Sequence, residues 1–129
     1  MRMSKILVID DEPDIVYLIR LILEKEGYEV VEANSGTQGL KLAEKEKPDL
    51  ILLDVMMPDM LGWEVCRRIK ANEELKKVPV AMLTVKSAAE DKLKSLDEAR
   101  ADWHIAKPID REKLLSTVEW LLKSPPRRT

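Results

Sequence analysis

Uninterrupted apolar runs constrain this chain more than any other feature. Ile6-Leu7-Val8-Ile9 and Leu50-Ile51-Leu52-Leu53 contain no polar residue at all. A strand that faces water on one side alternates polar with apolar side chains, so an unbroken run predicts a strand covered on both faces. That is the situation of a parallel sheet sandwiched between helices. Val30-Val31 and Val78-Pro79-Val80-Ala81-Met82-Leu83 add two further strands, and the mixed segment Asp102 to Ala106 adds a fifth, best suited to an edge.

The segments between the runs have helical period. Ile15, Ile19, Ile22 and Leu23 share one face of a helix that should close at Gly27, a C′ glycine. Ser35 and Gln38 have capping-box spacing and open a second helix, running to about Glu46 before Pro48. Gly62 to Asn72 reads as the third, with Val65 and Ile69 four apart. Ser87 and Glu90 repeat the capping box for a fourth, with Leu93 and Leu96 inward. Asp110 is a suitable N-cap for a fifth, carrying Leu114, Leu115, Val118, Leu121 and Leu122. Five strand–helix pairs joined by right-handed crossovers predict an open α/β sheet. At 129 residues the chain suits one domain, expected over residues 4–123. Residues 124–129, rich in Pro and Arg, read as a tail or the start of a linker.

Composition removes several function classes. One His (His104) and one Cys (Cys66) leave no Cys/His zinc cluster and no intramolecular disulfide. The 22 basic against 24 acidic residues, a net charge of −2, give no global electrostatic case for nucleic acid. No apolar run approaches the ~20 residues of a membrane helix, and Ile6 to Ile9 runs straight into acids, unlike a signal peptide. A cytoplasmic location with no membrane association is the expectation.

In open α/β sheets, ligands bind beyond the carboxyl ends of the strands. Strand one ends in Asp10-Asp11-Glu12, strand three in Asp54, strand four in Thr84 and strand five in Lys107-Pro108. Carboxylates, a hydroxyl and a lysine therefore gather on one edge, where each interrupts an apolar stretch at a cost. Singly they have ordinary readings: Asp10, Asp11 or Glu12 as caps ahead of Pro13, Asp54 as a turn residue, Thr84 as a strand end, Lys107 as a surface charge. Together they form a hard, oxygen-only donor set suited to Mg²⁺, or to Mn²⁺. A carboxylate can also accept a phosphoryl group as an acyl phosphate, while a lysine and a hydroxyl hold the phosphoryl oxygens. Phosphorylation of an aspartate on this edge is the chemistry the residues point to.

With these residues in place, the chain resembles the receiver domain of two-component response regulators, over roughly residues 4 to 123. The likeness rests on an ordered set: Ile6 to Glu12, Pro48 to Asp54, Met57-Pro58, Gly62-Trp63-Glu64, Thr84 and Lys107-Pro108. It implies a flavodoxin-like, doubly wound, five-stranded parallel sheet of order 2-1-3-4-5 with five helices. It further implies that Asp54 is the phosphoacceptor for a histidine kinase or phosphotransfer protein. Asp11, Asp54 and the backbone carbonyl of Met56 would ligate Mg²⁺ directly, and Asp10 largely through water. Thr84 and Lys107 would bind the phosphoryl oxygens. Thr84 and the residue three before the lysine, here His104, would form the switch that alters the face of the fourth helix, fifth strand and fifth helix. Such a domain is a phosphoprotein signalling module rather than an enzyme, although it assists its own phosphorylation and dephosphorylation.

Several positions depart from the family pattern. His104 stands where Tyr or Phe is usual, Arg100 where Gly usually precedes Ala-Asp, and Leu61 where an acid is frequent. Val85 replaces a small residue, and Met56 and Lys86 sit two residues beyond Asp54 and Thr84. Bulky Val85 and Met56 would crowd attacking water and prolong the phosphorylated state; the simpler reading is that both pack. His104 would act as a titratable switch; the simpler reading is an exposed His. Trp103 and Trp120 are expected near the output face, and Cys66 in the core. The first reading is a stand-alone receiver; a second is the N-terminal receiver of a longer DNA-binding regulator. A metal-dependent phosphatase or other α/β hydrolase is less favoured, because no acid lies two residues after Asp54 and no G-x-S-x-G elbow is present, and a nucleotide-binding enzyme is disfavoured because there is no G-x-x-x-x-G-K-[ST] loop.

Overall fold

The computed structural model describes residues 3–85 and 100–123. Its elements alternate as β1 (Lys5–Ile9), α1 (Pro13–Lys25), β2 (Glu29–Ala33), α2 (Gly36–Glu46), β3 (Leu50–Asp54), α3 (Gly62–Ala71), β4 (Val80–Val85), β5 (Trp103–Lys107) and a C-terminal helix (Arg111–Lys123). The strands form one parallel sheet of order β2-β1-β3-β4-β5. Four helices lie among the described residues; the helix expected from Ser87, and Lys86, fall outside them.

Side-chain alternation explains why the central strands carry no polar residue. Leu7, Ile9, Ile51, Leu53 and Met82 face one layer with Val65 and Ile69 of α3. Ile6, Val8, Leu50, Leu52 and Leu83 face the other, with Ile19 and Leu23 of α1 and Leu114 and Val118 of the C-terminal helix. Successive residues thus enter opposite cores, and both cores are apolar. Cys66 lies fully buried in the first layer. β5 is an edge strand with mixed burial, as its composition suggests. No helix among the described residues is long and apolar enough to cross a membrane.

The local signals act largely as their chemistry dictates. Gly27 closes α1 at φ +92°. The Ser35 hydroxyl accepts the Gln38 N–H at 3.1 Å, and Asp110 accepts the Glu112 N–H at 3.1 Å. The Gln38 side-chain oxygen Oε1 accepts the Asn34 N–H at 2.8 Å, which completes the box one residue early. One boundary differs from expectation: β4 spans Val80–Val85 rather than starting at Val78. Lys70 explains the late start. Its ammonium donates to the Val78 carbonyl at 2.8 Å and pairs with Asp102 at 2.7 Å, while Asp102 accepts the Val80 N–H. The segment before Val80 is thereby pinned to α3 and to the entry of β5, while the Pro79 carbonyl still accepts the Ile51 N–H of β3 at 3.0 Å.

Candidate functional site

The parallel register sets the site. Ile9 pairs with Leu53, Asp54 with Leu83, and Val85 with Lys107. The carboxyl ends of β1, β3, β4 and β5 therefore share one edge, and the residues ending the apolar runs arrive there together. Asp54 is the last residue of β3 and Lys107 the last of β5, while Thr84 lies inside β4 rather than beyond it. Gly62 closes the floor: its N–H donates to the Val55 carbonyl at 2.8 Å, and a Cβ there would collide with the Asp54 carbonyl oxygen. Only glycine lets α3 start this close to the strand end.

Lys107 organises the charges. Its ammonium lies 3.0 Å from Asp54 Oδ1, 3.1 Å from Glu12 Oε1 and 3.0 Å from Asp10 Oδ2. The contacts to Asp54 and Glu12 are aligned hydrogen bonds. The contact to Asp10 Oδ2 is equally short, and Asp10 Oδ1 accepts the Glu12 N–H at 2.9 Å. Burial favours the protonated carboxyl of Asp54, and the adjacent Asp10 charge adds to this; together they outweigh Lys107 and push its pKa up to about 6. Asp10 is raised too, chiefly by burial, against the opposing Glu12 N–H and Lys107. Burial opposes the charge on Lys107, but its bonds to Asp10 and Asp54 more than compensate and hold it above the ordinary lysine value. One ammonium thus faces three carboxylates, and negative charge is left over.

That excess of negative charge on an oxygen-only donor set fits a divalent cation. Asp10, Glu12 and Asp54 each offer an oxygen, all within 4.8 Å of one another. Glu12 belongs to this set, whereas the expected ligand Asp11 does not; Asp11 is half-buried and lines a groove with Pro13, Tyr17, Arg20 and Asn34. Glu12 occupies the N-cap position of α1 but makes no side-chain cap, so capping does not account for its side chain. Its one advance signal was its place in the run Asp10-Asp11-Glu12.

The remaining expected residues lie around this centre. The Thr84 hydroxyl is buried and has no hydrogen-bond partner among the described residues. The Met56 and Val85 side chains are 68% and 57% exposed, so the reading that both simply pack is wrong. His104 is half-buried on β5, its ring stacked on Trp103 at 5.5 Å. Trp103 meets Trp120 of the C-terminal helix edge to face at 5.1 Å, and both tryptophans are partly exposed. This pairing of strand and helix aromatics has no signature in sequence spacing.

Comparison with known proteins agrees with this geometry. The profile of the response regulator receiver domain matches residues 6–119. The chain is 36% identical to Protein PilH of Pseudomonas aeruginosa over 93% of its own length and 98% of PilH's. It is 41% identical to the DNA-binding dual master transcriptional regulator RpaA of Synechocystis over 97% of its own length, yet spans only 52% of RpaA. About half the length of several such regulators is all that it covers. Among solved structures, the receiver domain of a Pseudomonas aeruginosa sensor histidine kinase, with magnesium coordinated in its active-site cleft, superposes with a TM-score of 0.87 at 29% identity, covering 95% of this chain and all of that one.

Proposed function

The chain belongs to the response regulator receiver domain family, the signalling modules of two-component systems, and we propose that Asp54 is its phosphoacceptor. The observation that carries this reading is the Lys107 bridge, which ties the buried Asp54 carboxylate to Asp10 and Glu12 at the carboxyl edge of the sheet. Asp54 attacks the phosphorus of a phosphohistidine on a kinase or phosphotransfer protein. The new P–O bond forms as the P–N bond breaks, and its electron pair stays with the imidazole, which takes up a proton.

Asp10, Asp11, Asp54 and the Met56 carbonyl would hold Mg²⁺, or Mn²⁺, with Glu12 beside them. When bound, the cation neutralises charge on the phosphoryl oxygens and makes transfer between anions feasible. Lys107, held protonated by its carboxylates, gives its charge to a phosphoryl oxygen. The Thr84 hydroxyl, with no competing partner among the described residues, donates to another. Its movement frees space for His104 to turn inward, which alters the surface of β5, the C-terminal helix and the fourth helix expected outside the described residues, where an output protein docks. The domain spans residues 4–123 and acts in the cytoplasm, binding neither nucleic acid nor membrane itself.

Coverage of nearly all of PilH supports a stand-alone receiver, whereas half-coverage of RpaA supports a second reading, the N-terminal part of a DNA-binding regulator. A helix-turn-helix encoded beyond Thr129 would decide for the second. The central test is incubation with a small phosphodonor and Mg²⁺ followed by intact mass. One added phosphoryl group, absent from Asp54→Asn, is the expected result; equal labelling of the variant refutes the assignment.

A further inference from the structure

We propose that Asp59 is a positioning residue: by clamping the loop between β3 and α3 onto the start of α2, it holds the Met56 carbonyl ready for a small divalent cation. This rests on the reading of the edge as a cation-dependent phosphoacceptor site.

Residues 55–61 join β3 to α3 and are anchored at three points. At the base, the Gly62 N–H donates to the Val55 carbonyl at 2.8 Å. Further along, Met57 is buried in the first apolar layer. At the tip, Asp59 reaches across to α2. Its Oδ1 accepts the Gly36 N–H at 3.0 Å, and its Oδ2 accepts the Thr37 N–H at 3.0 Å and the Thr37 hydroxyl at 2.8 Å. The Thr37 and Gly36 N–H groups hold the Asp59 carboxyl below its ordinary value, so it stays ionised at neutral pH. α2 already has a cap of its own in Ser35, whose hydroxyl takes the Gln38 N–H. Asp59 takes the two preceding N–H groups from outside the helix, so its bonds join two elements. The join is close: a Cβ on Gly36 would come within 3.0 Å of Met60 Cβ and of Val65 Cγ2. Met56 itself is exposed, so its backbone is placed by these anchors and not by packing of its own side chain. Mg²⁺ demands near-ideal octahedral geometry at about 2.1 Å, whereas Ca²⁺ accepts longer and more variable bonds. A loop released at its tip would cost Mg²⁺ a well-placed ligand and cost the more adaptable Ca²⁺ little. Loss of the Asp59 charge alone would weaken two equally charged ions alike.

The test is calorimetric titration of the unphosphorylated chain with Mg²⁺ and with Ca²⁺ at pH 7.5, so it reads binding and not turnover. Asp59→Ala is expected to weaken Mg²⁺ several-fold and Ca²⁺ less than two-fold, so that the ratio of the two affinities falls. Thr37→Val removes one bond of the clamp and leaves the Asp59 charge in place. It is expected to lower the same ratio by a smaller factor, and it decides the matter alone if Asp59→Ala does not fold. A lower melting temperature with an unchanged ratio would make Asp59 a structural cap only. Equal losses for the two ions would make it bulk charge. Either result, or wild-type affinity for both ions in Asp59→Ala, overturns the proposal. If the wild-type chain itself binds no Mg²⁺, the phosphoacceptor reading fails first and takes this inference with it.

Discussion

Asp54 bears a cost that the proposed phosphoacceptor role requires. Its carboxyl has a pKa of about 6 in the fold against 3.8 in an ordinary setting, so the folded state holds its proton more tightly than the unfolded chain does. Below about pH 4 both states are protonated and the site is neutral to stability. Between the two values the unfolded chain loses its proton first, and above about pH 6 the folded carboxylate is ionised at its full penalty, on the order of 3 kcal/mol. Asp54→Ala should therefore stabilise the metal-free protein by about 1–3 kcal/mol at pH 7.5, with the gain fading toward pH 4. Urea denaturation at the two pH values measures this, and equal gains at both would contradict the titration. Arg100 carries a second cost, of backbone origin: it lies at φ +61°, where a side chain meets its own backbone and glycine does not. The departure from the family's usual glycine is thus a strained position, and Arg100→Gly should raise stability by about 0.5–1 kcal/mol in the same assay. The identity of the site residues was legible because each one breaks an apolar run. The partner of Glu12 was not, since a contact between positions 12 and 107 depends on where β5 docks.

At the scale of elements, β4 and β5 carry what distinguishes this receiver. The continuous apolar strands and the capping residues of α2 and the C-terminal helix could be read from side-chain type, because period and hydrogen-bonding capacity are local properties. The start of β4 could not, as it is decided by Lys70 and Asp102 reaching from two other elements. Val85 ends β4 as an exposed branched side chain beside the site, with Met56 exposed on the loop after β3. On the expectation that both crowd the water that hydrolyses a phosphorylated Asp54, Val85→Ala should shorten the lifetime of the phosphorylated form several-fold. Decay of phosphoaspartate followed by mass spectrometry decides this; an unchanged lifetime removes Val85 from the kinetics. On β5, the stack of His104 on Trp103 ties the proposed switch to an aromatic pair bridging strand and helix. If His104 turns inward on activation, the indole N–H resonance of Trp103 should shift when Mg²⁺ and a phosphoryl analogue are added, and not in Asp54→Asn. A Trp103 signal that stays put with Asp54 loaded would leave His104 outside the switch.

For the whole molecule, the two apolar layers provide stability and the carboxyl edge spends part of it. The open parallel sheet was readable from the alternation of runs and periods, while its order was implied by the family resemblance. The charge imbalance was not, because whether three acids are compensated depends on burial and on a single lysine 53 residues from the nearest of them. On the proposed reading, this imbalance couples folding to the cation. An ion that binds the folded edge and not the unfolded chain stabilises by mass action, about 2.7 kcal/mol at a hundred times its dissociation constant. The stabilisation should be large at pH 7.5, where Asp54 is ionised, and should fall as the pH drops through about 6, because proton and cation then compete for the same carboxylate. Melting temperatures with and without Mg²⁺ at pH 7.5 and pH 5 would test it. A Mg²⁺-induced rise that is the same at both pH values would show that the ion binds away from Asp54, and the link between the protonation of Asp54 and its metal would be lost.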